Sequence, residues 1–205
     1  MLEHVPAWLG KALSGARAGT EKLAAGRPDL GADLATLTLG STAFADGARL
    51  PERFTADGEG SSPPLLWQHP PAGTDRLVLL VEDADAPAPQ PLVHAVVWGL
   101  PAAAGSLAEG AISQGDATSG VRIGHNSFRR RGWLPPDPPT GHGQHRYVFQ
   151  LFAIGPGADD PGEDPGRGAV LDAIAGDVLG VGVLVGIYSR GEESPMGLVG
   201  ATSPA

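Results

Sequence analysis

Most of the chain alternates between apolar and polar residues with the period of β-strands. In "LATLTLGSTAF", Leu37 and Leu39 alternate with threonines, so their side chains share one face of an extended strand. The runs "RLVLLVED" (Arg76 to Asp83) and "LVHAVVWGL" (Leu92 to Leu100) are almost continuously apolar, which is typical of strands buried on both faces. "HRYVFQLFAI" and "VGVLVGIYSR" predict two more strands. The pattern predicts a mainly β, mainly antiparallel fold.

Two segments have helical spacing instead. Near the N-terminus the apolar residues recur three or four positions apart, with charged residues between them: Trp8, Leu9, Ala12, Leu13, Ala16 and Leu23. This spacing predicts an amphipathic helix that packs on its own domain or on another subunit. Near the C-terminus, "RGAVLDAIAGDVLG" predicts a second helix that includes Val178 and ends at Gly180 in a C-cap position.

These elements divide the chain into three parts. We expect an N-terminal helical extension over residues 1–34, one β-rich domain over 35–190 and a flexible tail over 191–205. The length of 205 residues suits a single domain with a substantial core. The 31 glycines and 20 prolines fall between the apolar runs, where they punctuate turns.

Composition excludes several kinds of function. The chain has no cysteine, hence no disulfide, no thiolate nucleophile and no cysteine-based zinc site. Its net charge of −9 argues against nucleic acid or an anionic membrane as a partner. No apolar stretch has the length of a membrane span or the character of a secretory signal, so we expect a cytoplasmic protein without stable membrane association. Nucleotide-binding glycine motifs are also missing, and no cofactor is expected.

The candidate chemistry lies at three strand ends. His145 and Tyr147 are two residues apart, so a strand places both on one face. Asp83 ends one core strand, and His94 begins the apolar half of another. If these ends meet at one edge of a sheet, they form a small pocket that holds a carboxylate, two imidazoles and a phenol.

The residues alone leave the role of such a pocket open. Imidazole, phenol and loop N–H groups can bind an anion, while a His–Asp pair can transfer protons. His142 and His145 form a loop H-x-x-H, which is a weak signal for a metal site, and no metal is expected. On spacing alone, ordinary hydrogen-bonded strand ends are the favoured interpretation of the histidines, and Asp83 and Asp85 are compatible with turn formation before Pro87.

The motifs taken together resemble the phosphatidylethanolamine-binding protein family, and most closely its bacterial, Raf kinase inhibitor-like branch. They occur in the family's order over roughly residues 36 to 190: "SSPPLLW", "VEDADAP", "HAVVWGLP", "GHNSF" and "GHGQHRYVFQLFAI". The resemblance implies a single domain of Greek-key antiparallel β-sheets with a few peripheral helices. It also implies a homodimer, as is common among bacterial members.

The family binds anions such as phosphate or acetate in a small pocket at the end of the sheet. The resemblance assigns that pocket to Asp83, His94, His145 and Tyr147, with Pro136 and Gly141 in the adjoining loop. It gives Asp85 and Arg146 a structural role in tying the turn to neighbouring loops.

The chain departs from the family at "PPDPP", where Asp137 adds a negative charge near the expected anion site and favours a neutral or cationic ligand. The short segment between Asp85 and His94 predicts a more open pocket.

We therefore expect a regulatory protein that binds a small anionic or polar ligand resembling phosphate or a carboxylate. The alternative is a small-molecule enzyme of a biosynthetic pathway that uses Asp83, His94 and His145 for acid–base catalysis. Carriage of a two-chain phospholipid is a third, weaker hypothesis, because a compact polar pocket cannot hold two acyl chains.

Overall fold

The computed structural model describes residues 7–31, 33–113 and 120–190. The predicted flexible tail over 191–205 lies outside these residues, as does the start of the predicted N-terminal extension. Within these ranges there are two α-helices, α1 (Ala7–Leu13) and α2 (Arg167–Ile174). The ten strands are β1 (Ala35–Thr36), β2 (Thr38–Gly40), β3 (Ala48–Arg49), β4 (Leu65–Gln68), β5 (Arg76–Asp83), β6 (Leu92–Pro101), β7 (Gly105–Leu107), β8 (Arg122–Ile123), β9 (His145–Ile154) and β10 (Val178–Tyr188).

The strands form two sheets. The larger has the order β1-β10-β9-β5-β6-β8, with β3 also pairing with β10, and the smaller has the order β2-β4-β7. All pairs are antiparallel except those of β10 with β1 and β3. Neighbouring strands such as β5 and β9 are far apart in sequence, so crossover connections as well as hairpins join the strands. The prediction of a mainly β, mainly antiparallel single domain is confirmed.

Strand β5 is the centre of the larger sheet and is buried on both faces. Leu79 and Val81 lie in the core between the two sheets. Val78 and Leu80 lie in a second core, which α2 and the segment around Ala24 cover. This double burial explains why the sequence of β5 is continuously apolar.

Strand β10 uses glycine where another segment crosses it. A Cβ atom on Gly182 would lie 2.9 Å from the carbonyl oxygen of Leu37, and one on Gly186 would lie 2.4 Å from the Leu50 side chain. The segment from β1 to β3 packs against this glycine-rich surface, and it adds two parallel pairs to the edge of the sheet.

The N-terminal helix is shorter than the spacing predicts. It ends at Leu13, and three single turns of 3-10 helix follow between Thr20 and Leu30. Gly15 and Gly19 interrupt the predicted helix, and glycine disfavours helix interiors. Trp8 is 69% exposed, while Leu9 and Leu13 are 36% and 38% exposed, so the domain covers Trp8 least of the three.

The C-terminal helix also ends early, so its predicted end at Gly180 is wrong. Helix α2 stops at Ile174, and Gly176 follows with a φ of 78°, a left-handed conformation that suits glycine. Val178 and Gly180 belong to β10, where Val178 pairs with Ile154. The position of Val178 fits both the helical and the strand period, and its pairing in the sheet places it in a strand.

The helices within the described part of the chain are all too short or too polar to cross a membrane.

Candidate functional site

Strand register brings three of the predicted residues together. Asp83, the last residue of β5, lies opposite Tyr147 of β9. His145 precedes Tyr147 by two residues, and both side chains are buried on the same side of the sheet. Their rings lie 6.4 Å apart. The predicted shared face is confirmed for this pair.

A β-bulge directs His94 to the same place. In the pairing of β5 with β6, Val81 lies opposite Ala95 and Glu82 lies opposite Val93, so His94 is the extra residue. The bulge explains why Val93 and Ala95 belong to opposite cores although they are two residues apart. Bulges commonly re-aim a side chain beside a functional site. The His94 ring packs edge-on against Tyr147, with 5.0 Å between the centroids.

These four residues line one cavity of about 310 Å³. Its polar wall consists of Asp83, His94, His145 and Tyr147. Apolar residues make much of the rest, and several are prolines: Ala56, Ala86, Pro87, Leu92, Leu134, Pro135, Pro138 and Pro139. Phe128, Arg130 and Asp137 complete the lining. A small number of polar groups within an apolar wall is typical of a ligand pocket.

Two further residues of the predicted pocket lie beside the cavity and outside its lining. Pro136 is buried, and its carbonyl oxygen accepts a hydrogen bond from the Ala56 N–H at 2.9 Å. Gly141 has a φ of 81° in the loop that leads to β9. Their part in ligand binding stays a prediction.

Asp83 and His145 are fully engaged in hydrogen bonds. One oxygen of Asp83 accepts the Asp85 N–H at 2.8 Å, and the other lies 2.7 Å from Nδ1 of His145. The remaining ring nitrogen of His145, Nε2, lies 2.7 Å from Nδ1 of His142. His145 therefore has both ring nitrogens occupied by neighbouring residues.

His94 differs from His145 because one of its nitrogens has no partner. Its Nδ1 lies 2.6 Å from the Leu134 carbonyl oxygen, which can only accept, so Nδ1 carries the proton. Burial lowers the pKa of His94, which favours the neutral ring. Nε2 is then an acceptor, and it is buried without a hydrogen-bond partner among the residues that the structure describes.

Tyr147 supplies a donor in the same place. Its side chain is fully buried and lines the cavity beside His94. Burial, with the nearby charge of Asp83, raises the pKa of Tyr147 well above 10. The phenol is therefore protonated at neutral pH and can donate.

Asp85 has the structural role that the resemblance implies. Its carboxylate accepts two hydrogen bonds from the Arg146 side chain, each of 2.7 Å, and Arg17 contacts it at 2.7 Å. Burial alone would raise the pKa of Asp85, but the bonds from Arg146 and Arg17 hold that pKa at about 2. Asp85 is therefore ionised and ties the turn after β5 to β9 and to the N-terminal segment.

Arg190, which follows β10, also belongs to the site, and no motif around it indicates this. Its guanidinium contacts Asp137 at 2.5 Å and Asp57 at 2.6 Å. Asp137 thus has a cationic partner, and the negative charge that distinguishes "PPDPP" is offset. Arg17 is a second arginine whose role the sequence does not indicate, because its partners Asp85 and Gln144 lie more than sixty positions away.

The described ranges contain no group of three or more His, Cys, Asp or Glu side chains arranged to hold a metal ion.

The matches of this chain to known proteins agree on one family. The model of the phosphatidylethanolamine-binding protein family matches residues 40–189. A UPF0098 protein of Methanothermobacter thermautotrophicus is 37% identical over 156 residues, which cover 76% of this chain and 100% of the relative. A UPF0098 protein of Aquifex aeolicus is 36% identical, covering 73% and 86% of the two chains. A relative in Mycobacterium tuberculosis, named a putative lipoprotein, is 38% identical, covering 74% and 72%.

Solved structures agree with this assignment. A putative phosphatidylethanolamine-binding protein homologue of Chlamydia trachomatis is 31% identical and superposes with a TM-score of 0.67, covering 76% of this chain and 98% of its own. YbcL of Escherichia coli, at 23% identity, shares the fold with a TM-score of 0.70, covering 76% and 99%. The fold class implied by the sequence motifs is confirmed. The chain belongs to the phosphatidylethanolamine-binding protein family.

Proposed function

We propose that the protein binds a small polar ligand carrying a phosphate- or carboxylate-like group, and that this binding is regulatory. The observation that carries the proposal is the pairing of an unfilled acceptor with a donor at one cavity. The Nε2 atom of His94 can accept, and it is buried without a partner among the described residues. The hydroxyl group of Tyr147, which lines the same cavity, can donate.

A bound ligand would remove an energetic cost. A buried polar atom without a hydrogen bond costs roughly 1–3 kcal/mol, so each such atom calls for an explanation. A phosphate or carboxyl group that carries one proton offers an O–H to His94 and an oxygen atom to Tyr147. At lower pH a protonated His94 could donate as well, which would strengthen the binding of a full anion.

The size of the cavity limits the ligand. At about 310 Å³ it lies near the lower end of the usual range for small-molecule pockets. It suits a headgroup or a small metabolite, and it supports a compact ligand over a lipid with two acyl chains.

Hydrogen bonding supports binding over acid–base catalysis. An enzyme that used the Asp83–His145 pair would need a ring nitrogen of His145 to face its substrate, and both nitrogens are occupied. Of the two histidines that line the cavity in the described part of the chain, His94 is the one with an unpartnered ring nitrogen. We therefore place the enzyme hypothesis second.

We also propose that the protein is cytoplasmic and forms a homodimer. One relative is named a putative lipoprotein, so cell fractionation of the native protein is the direct test of location. Light scattering of the purified chain tests the dimer.

The test of the ligand site is titration of the protein with inorganic phosphate in a calorimeter. His94→Asn keeps a donor for the Leu134 carbonyl and removes the Nε2 acceptor. We expect it to weaken binding roughly tenfold, the effect of one lost hydrogen bond. His69→Asn is the matched control, because His69 is exposed and its φ of 59° suits asparagine. Equal affinities of the wild-type protein and His94→Asn would refute the proposal.

A further inference from the structure

His142 connects the pocket to the N-terminal segment, which lies outside the family match over residues 40–189. The side chain is buried, and its Nε2 lies 2.9 Å from the carbonyl oxygen of Leu13 and 3.2 Å from that of Ala16. Its Nδ1 faces Nε2 of His145 at 2.7 Å. A continuous chain of hydrogen bonds therefore runs from the backbone after α1 to Asp83.

The chemistry of the groups sets the direction of this chain. Carbonyl oxygens only accept, so Nε2 of His142 carries a proton. Burial, followed by the neighbouring His145, lowers the pKa of His142 and favours the neutral ring. Nδ1 of His142 is then an acceptor, and Nε2 of His145 must donate to it. One more proton lies between Nδ1 of His145 and the carboxylate of Asp83.

The N-terminal segment is held firmly where it supplies these carbonyl groups. Arg17 contacts Asp85 at 2.7 Å and donates to the Gln144 carbonyl oxygen at 2.8 Å. The Ala18 N–H donates to the Ala86 carbonyl oxygen at 2.9 Å. A Cβ atom on Gly10 would lie 2.1 Å from the carbonyl oxygen of Thr140, so only glycine allows α1 to approach the loop this closely.

We propose that His142 is a positioning residue of the pocket: the carbonyl groups of residues 13 and 16 keep its proton on Nε2, so that its Nδ1 accepts from His145 and holds the His145 ring in one orientation and one hydrogen-bonding pattern. His145 then offers no free nitrogen to a ligand, and His94 is left to do so. The charged groups around the chain are Asp83, Asp85, Arg17 and Arg146, and they pair with one another or with His145. The consequence for binding rests on the proposed ligand site, whereas the hydrogen-bond chain does not.

The unmodified protein provides the first test. Long-range ¹⁵N–¹H spectra at neutral pH distinguish which nitrogen of each imidazole carries the proton. We expect His142 to be protonated on Nε2 alone and His145 to be protonated on Nε2. Protonation of His142 on Nδ1 would overturn the proposal without any substitution.

Two variants separate positioning from simple anchoring. His142→Asn places an acceptor where Nδ1 lies, so the proton on Nε2 of His145 should keep its partner and its ¹⁵N shift. His142→Gln places a donor where Nε2 lies and removes the acceptor, so the His145 signal should move. Identical His145 spectra in the two variants would contradict the proposal.

Phosphate titration of the same variants distinguishes the two proposals. We expect His142→Asn to keep wild-type affinity and His142→Gln to change it more than threefold. If the His145 spectra behave as expected but the wild-type protein does not bind phosphate, the ligand proposal fails and the positioning role stands. If the His145 spectra contradict the expectation but the wild-type protein binds phosphate, the positioning role fails and the ligand proposal stands.

Discussion

The two faces of the sheet at the end of β5 carry consecutive buried carboxylates, Glu82 and Asp83, in different surroundings. Glu82 faces the core beneath the N-terminal turns. It accepts hydrogen bonds from the Ala24 N–H at 2.8 Å, from the Gln150 amide at 2.7 Å and from Arg167 at 2.5 Å. The amide oxygen of Gln150 in turn accepts the Ala25 N–H at 2.7 Å. This cluster, the Glu82 cluster, satisfies its carboxylate within the chain.

The Asp83 side has an equally satisfied carboxylate but leaves a group beside it unfilled. His94 Nε2 has no partner among the described residues, and His94 and Tyr147 both line a cavity. A buried polar group that is fully paired contributes to specificity and stability, while an unpaired one is a site for a ligand or a water molecule. We therefore propose that the Glu82 cluster stabilises the fold and that the opposite face binds a ligand.

The largest expected effect comes from breaking the Glu82 cluster. Glu82→Gln replaces one accepting oxygen with an amide that cannot accept, and it leaves Arg167 without a counter-charge. Because Arg167 is partly exposed, we expect the free energy of unfolding to fall by about 3 kcal/mol, the lower end of the range for a broken buried pair. Urea denaturation measures the loss, and phosphate affinity should stay within twofold of wild type.

The matched control for this change is Glu109→Gln. Glu109 forms an exposed pair with Arg53 at 3.2 Å, and such pairs contribute at most about 1 kcal/mol. If Glu82→Gln costs no more than Glu109→Gln, the buried cluster does not stabilise the fold and the comparison between the two faces fails.

A smaller effect follows from the buried histidines of the pocket side. Burial lowers the pKa of His94 and His142 below the ordinary value of about 6.5. Below that pH the unfolded chain binds more protons than the folded one, so the free energy of unfolding decreases as pH falls. Each histidine contributes up to about 1.4 kcal/mol per pH unit until its folded pKa is reached.

Urea denaturation at pH 7.5, 6 and 5 tests this dependence. As pH falls, the free energy of unfolding of His94→Asn should decrease less steeply than that of the wild-type protein. The free energy of unfolding of Glu82→Gln should be lower at pH 7.5 and should decrease as steeply as that of the wild-type protein. Asp85 has a pKa of about 2, so its protonation lowers the free energy of unfolding only below about pH 4. Parallel curves for the wild-type protein and His94→Asn would show that the burial of His94 does not affect its titration.

Much of this comparison was accessible from the sequence. The continuous apolar run of β5 indicated a strand buried on both faces, and it located Asp83 at its end. The two-residue spacing of His145 and Tyr147 placed them on one face. These inferences held because each depends on the period of a single strand, which is a local property.

The remaining features depend on which elements meet. The bulge that turns His94 towards Tyr147 arises from the register between β5 and β6, and strict alternation would have placed His94 on the side of Val96. Arg17 and Arg190 reach the site from opposite ends of the described chain, with no motif around them. Val178 fits either a helix or a strand, and its pairing with Ile154 determines the outcome.

The smallest expected effect concerns Asp137, whose partner Arg190 resembles Arg167 of the Glu82 cluster. Each arginine offsets a carboxylate, but Asp137 borders the cavity. Asp137→Asn removes a negative charge close to a bound anion, and we expect phosphate affinity to rise by less than about threefold, because Arg190 already offsets that charge. Calorimetry at low and high salt measures the change, with Asp159→Asn at an exposed position as the control. An increase of tenfold or more would mean that the carboxylate acts on the ligand uncompensated, and that Arg190 serves Asp57 instead of the pocket.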